Sequence, residues 1–91
     1  MPYITQSNRE RIDPVSRQLN HYVEDQGVSE GELNYILTSL ILSWLGNPNY
    51  KAYNAAIGVL ECVKQEFYRR SVAPYEDQKR DKNCEVYPDG R

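Results

Sequence analysis

Residues 29–49, SEGELNYILTSLILSWLGNPN, decide the fold class. Ser29 followed by Glu32 is a capping box, in which each residue can satisfy an orphan N–H of a starting helix. Leu33, Ile36, Leu37, Leu40, Ile41, Trp44 and Leu45 then recur at helical spacing and share one face. A strand would alternate every second residue, and neither this stretch nor any other does so. Gly46 and Pro48 end the helix. Asn49 is placed to cap the next one, which is expected from about Tyr50 to Val72 and to stop at Pro74. Its stripe is Tyr53, Ala56, Ile57, Leu60, Val63 and Phe67, which makes Phe67 a buried residue. A connection as short as GNPN implies that the two helices form an antiparallel hairpin.

Upstream, IDPVS at residues 12–16 predicts another helix start, with Asp13 as N-cap and Pro14 at the first helical position. Val15, Leu19, Tyr22 and Val23 follow at helical spacing, and Gly27 closes the helix. The expected fold is therefore all-α: an antiparallel helical hairpin with a packed N-terminal helix and a short C-terminal arm. In this reading residues 1–12 are an N-terminal extension, 13–73 a three-helix core and 74–91 the arm. Within the arm, YEDQKRDK suits a short polar helix. Val86 and Tyr87 are apolar enough to dock, so order is expected to about Tyr87, with disorder in the last few residues.

Ninety-one residues make one small domain, and such a chain removes only about 60–65% of its unfolded surface from water. Apolar surface beyond the intramolecular core then favours an oligomer. Helix two carries Tyr35 and Leu42 opposite its main stripe, and helix three adds Ala55, Val59 and Cys62 on a flank. A helix apolar on most sides is covered on most sides, so these five residues are the expected oligomer interface of a helical bundle. Gly58, in mid-helix, leaves room for another helix or a ligand to approach.

A formal charge of −2 and a pI near 5.3 argue against generic binding to nucleic acid or anionic membrane. No exposed recognition helix is seen, which disfavours specific DNA binding. The start of the chain shows no signal-peptide pattern, and no apolar run is long enough to span a bilayer. With two cysteines and no zinc-like spacing, the cytoplasm is the expected compartment, both thiols reduced.

His21 is the sole histidine and projects away from Leu19, so no nucleophile–histidine arrangement can be built. Helical nucleotide pyrophosphohydrolases hold magnesium with acids three or four apart on successive helices. Here helix three offers only Glu61 and Glu66, on different faces. No catalytic residue, metal ligand or cofactor is assigned, and a non-enzyme is expected. The suggestive feature is Lys64, inside an apolar stripe and one turn before Tyr68, with Arg70 near the same edge. Tyrosines beside cations suit phosphates and bases, through forked hydrogen bonds and stacking. Lys64, Tyr68, Arg70 and Tyr75, with the amide of Asn34, are the candidate ligand-binding residues. Their ordinary roles compete: Lys64 can snorkel, the arginines can offset the helix dipole, and Asn34 can satisfy a neighbouring helix.

At MPYI, ELNYILTSLI, GVLECVKQEFYRR and VAPYEDQKRDKN…EVY the chain resembles a small uncharacterised family found in bacteriophages and bacterial genomes, along nearly its whole length. The family pattern has Gly-Asp before the final Val-Tyr, where this chain has Cys84 and Glu85. The resemblance implies a phage or prophage origin, hence the host cytoplasm, and supplies no catalytic residues. Small acidic phage proteins include helical oligomers that sequester cyclic nucleotide signals. The expected function is accordingly a non-enzymatic, counter-defence protein binding a small anionic ligand at a subunit interface. The alternatives are an adaptor or inhibitor of a host protein and, disfavoured, a pyrophosphohydrolase-like enzyme.

Overall fold

The structure, a computed structural model, describes residues 2–88. It is all-helical, with no strand among the described residues. In chain order it comprises α1 (Gln6–Gln26), α2 (Glu30–Leu45), α3 (Tyr50–Phe67), a π-helical segment (Tyr68–Val72) and α4 (Ala73–Asn83). The chain divides into two compact units, Met1–Ala56 and Ile57–Arg91.

The first unit holds α1, α2 and the opening turns of α3. The expected start of α1 at Asp13 is wrong: the helix begins at Gln6, so residues 6–12 are helical rather than an extension. Thr5 is the cap, its Oγ1 accepting from the Asn8 N–H at 3.3 Å. Asp13 instead pairs with Arg17 one turn on, at 3.5 Å, and Pro14 lies inside the helix. An internal proline costs ~3 kcal/mol, tolerated here by a 21-residue helix closed at both ends. Gly27 ends it as expected, at φ 62 and ψ 54, the left-handed conformation that glycine adopts without penalty.

Both bonds of the capping box on α2 are formed. Glu32 N–H donates to Ser29 Oγ at 3.2 Å, and Ser29 N–H donates to Glu32 Oε1 at 2.9 Å. Receiving that backbone N–H holds the Glu32 carboxyl below its ordinary pKa. Asn49 caps α3, its Oδ1 accepting from the Ala52 N–H at 2.8 Å.

The second unit holds the rest of α3, the π-helical segment, α4 and the tail. Pro74 does not stop the helix, contrary to expectation. In an α register the proline ring would meet the carbonyl of Arg70. The turn widens before it, and Ala73 N–H donates to Tyr68 O, five residues back. Pro74 then occupies the first turn of α4, where a missing N–H does little harm. The polar helix expected for YEDQKRDK is present within α4.

Cys84 follows α4 at φ 79 and ψ 154, a region that is nearly glycine-only. Glu85 takes over the turn: its Oε1 accepts from the N–H groups of Val86 and Tyr87, both at 2.9 Å. Val86 and Tyr87 are exposed, and the expected disorder of the last few residues falls, from residue 89, outside the described residues.

The expected core is not closed within one chain. Ala56, at 4% exposure, is the one buried residue among those described. Leu19, Val23, Ile36, Ile41 and Leu45 are half-buried. Leu33, Leu37, Leu40, Trp44, Tyr53, Ile57, Leu60, Val63 and Phe67 are exposed, which corrects the expectation that Phe67 is interior.

Ser29→Ala should lower stability by about 1 kcal/mol at neutral pH in urea unfolding. Because the folded pKa of Glu32 is depressed, its contribution is present above the ordinary carboxylate pKa. It fades as pH falls through the lowered folded value, so the wild-type advantage over Glu32→Ala, which removes the carboxylate where Ser29→Ala keeps the backbone N–H it accepts from, should shrink in acid. Equal differences at both pH values would contradict this assignment. Cys84→Gly relieves the strained turn and should raise stability by roughly 1–3 kcal/mol, read as a higher melting temperature.

Candidate ligand-binding site

Four of the five expected ligand residues fall in the second unit. Lys64 lies in α3, Tyr68 and Arg70 in the π-helical segment, and Tyr75 in α4. The fifth, Asn34, lies in α2 in the first unit, where its Oδ1 accepts from Thr38 Oγ1 at 3.1 Å. That is the ordinary role weighed for it, a helix-surface hydrogen bond.

The cations differ in what they already hold. Lys64 Nζ lies 3.3 Å from Glu61 Oε1, with its side chain 73% exposed. Gln65 donates to the same carboxylate at 3.2 Å, and that bond, together with Lys64, lowers the pKa of Glu61. Arg69 Nη2 is 2.9 Å from both oxygens of Glu66. Arg70 enters no ion pair among the described residues, so its guanidinium is the cation of this group left for a ligand. Lys79 Nζ stands 5.6 Å from the centre of the Tyr75 ring, a cation–π pair one turn along α4.

The widened turn is the feature that the periodicity concealed. A π turn inserts an extra residue and shifts the face presented by everything after it. Tyr68 and Arg70 sit inside that turn, and Tyr75 follows it. Its signal was readable: Pro74 stands four residues after Arg70 in a segment otherwise helical on both sides. Yet the four residues lie along successive turns of one helical run, and a convex helix surface gives a ligand one wall. They form one exposed wall.

A groove of about 560 Å³ opens at the end of α4, between Glu76, Arg80, Cys84 and the exposed Val86 and Tyr87. None of the expected ligand residues lines it. Its arginine is committed: Arg80 lies 3.7 Å from Asp77, 3.4 Å from Asp81 and 3.9 Å from Glu85. An anion would meet three carboxylates there, those of Glu76, Asp77 and Glu85.

The expected interface residues are all exposed in the single chain. Tyr35 and Leu42 flank a shallow depression on α2 with Thr38, Ser39 and Ser43. Ala55, Val59 and Cys62 lie on α3, where Gly58 has open space beside it. Among the described residues no group of three His, Cys, Asp or Glu is placed to hold a metal ion. Among the described residues no helix is long and apolar enough to cross a membrane.

Neither a curated protein nor a solved structure matches the chain. Comparison with known families matches residues 1–86 to DUF6899, a domain of unknown function. With nearly the whole chain covered, the protein is a member of the DUF6899 family.

Proposed function

We propose that this chain is a non-enzymatic protein that assembles with itself and binds a small anionic ligand, such as a cyclic nucleotide, at a subunit interface. The observation that carries the reading is Arg70. It stands on a widened helical turn, unpaired among the described residues, with exposed tyrosines at positions 68 and 75. A guanidinium can fork onto phosphate oxygens while tyrosine rings stack on a base. Lys64 adds a second cation one turn before Tyr68. Because one helix gives one wall, the opposite wall belongs to another subunit, as in symmetric sites for symmetric ligands. The helical hairpin, with Tyr35, Leu42, Ala55, Val59 and Cys62 against neighbouring helices, completes the bundle. In a phage setting such a protein acts in the host cytoplasm, withdrawing a nucleotide signal rather than converting it.

A second reading, an adaptor that inhibits a host protein, draws on the exposed apolar faces of α2 and α3. Patches of this kind mark protein partners.

Isothermal titration against cyclic di- and trinucleotides should give saturable heat with at least one of them. Arg70→Ala should weaken that binding by at least about tenfold, the scale of a charge-assisted hydrogen bond, with an unchanged circular dichroism spectrum. A folded protein that evolves no heat with any ligand of the series refutes the reading.

A further inference from the structure

The chain leaving α4 is held by one arginine and one carboxylate. Arg80 holds it twice: its carbonyl accepts from the Cys84 N–H at 2.8 Å, and its Nε faces Glu85 Oε2 at 3.9 Å. The other oxygen of Glu85 accepts from the N–H groups of Val86 and Tyr87, both at 2.9 Å. Asp77 and Asp81 steady the same guanidinium, at 3.7 Å and 3.4 Å. Between these anchors Cys84 is bent to φ 79 and ψ 154. All of these bonds are local, and all lie inside the second compact unit.

We propose that this segment is a strained latch, a two-state device in which Glu85 is the catch and Cys84 the spring. It is independent of the ligand reading above, because none of its residues belongs to that site.

Two opposed terms of similar size make the segment a switch. A non-glycine residue in this backbone region favours the relaxed chain by about 5- to 150-fold. Against it stand two hydrogen bonds to a charged carboxylate, stronger than neutral ones. The ion pairs of Arg80 are exposed and add little. Glycine at residue 84 would carry no strain and would make the turn a fixed helix end. Cysteine there leaves the turn closed but loaded. The open state is close at hand. When Cys84 returns to negative φ, α4 can run on toward Tyr87, where Pro88 disfavours helix in the residue before it. That path withdraws the Val86 and Tyr87 N–H groups from Glu85.

Closing the latch also shapes the surface. The groove of about 560 Å³ has Glu76, Asp77 and Arg80 of α4 on one side and Glu85, Val86 and Tyr87 on the other. It therefore exists only while the catch is made. The exposed Val86 and Tyr87 side chains are held at one angle in the closed state and lose that angle in the open one.

Amide hydrogen exchange on the isotope-labelled whole chain tests the latch. In the wild type, Val86 and Tyr87 should exchange more slowly than the same residues in a free peptide. Cys84→Gly removes the strain and should slow both by at least about fivefold. Glu85→Ala removes the catch and should bring both to the free-peptide rate. In that variant the amide–Hα NOE within Cys84 should lose the intensity that a positive φ gives it. A loaded latch requires the two variants to move in opposite directions. Free-peptide exchange in the wild type, no slowing in Cys84→Gly, or protection that survives Glu85→Ala each overturns the proposal.

Discussion

Apolar side chains on these helices have too little protein to bury them. Leu33, Leu37, Leu40 and Trp44 on α2, and Tyr53, Ile57, Leu60 and Phe67 on α3, all remain exposed in the single chain. Complete burial of one such side chain is worth roughly 1.5–3 kcal/mol, the scale at which a small domain becomes stable or does not. Helices of this length are marginal in water without packing. Local devices therefore do much of the work inside one chain: the Thr5, Ser29 and Asn49 caps, the glycine ends of α1 and α2, and exposed ion pairs such as Asp13–Arg17. Surface pairs of that kind contribute little each. Local bonding defines where the helices begin and end, and the remaining stability has to come from covering their apolar faces.

The same shortage gives Lys64 its meaning. In a closed monomeric core an ammonium among Leu60, Val63 and Phe67 would be an error to be corrected by snorkelling. Here its side chain is 73% exposed, with its charge partly answered by Glu61 at 3.3 Å. Arg70 differs, because the π-helical turn carries it past the regular register and leaves it without an acid. In the proposed site Arg70 is the cation that remains for a ligand. Glu61 stands three residues before Lys64 and pairs with it, while Glu66, three before Arg69 and four before Arg70, is held by Arg69.

Much of the architecture was legible in the sequence because helix ends are written locally. Ser29 with Glu32, Asn49, Gly27 and Gly46 each act through bonds to residues a few positions away. The errors occurred where a proline was read as punctuation. Pro14 follows a plausible cap at Asp13, yet Thr5 caps a helix that runs through it. Pro74 is absorbed by a turn one residue wider. A proline removes one donor and clashes with one carbonyl, so a helix long enough to tolerate that loss, or wide enough to avoid the clash, continues. Burial was less legible for a different reason. A stripe at helical spacing says which side chains belong together, and Phe67 belongs with Leu60 as expected. It does not say whether the surface they meet lies in the same chain.

The tail shows how a local departure can be tied to a structural cost. The backbone at residue 84 adopts a conformation suited to glycine, and cysteine occupies it. The acid at 85 still performs its part, accepting from two N–H groups of the turn. The turn is thus set by the end of α4 and by the carboxylate, and cysteine is carried along under strain. A thiol held there gains no partner in return, being free and exposed. Residue 84 is therefore strained without a compensating side-chain bond among the described residues. Strain of that sort is tolerable where little depends on the segment, and costly where Val86 and Tyr87 must be presented at one angle to a second surface.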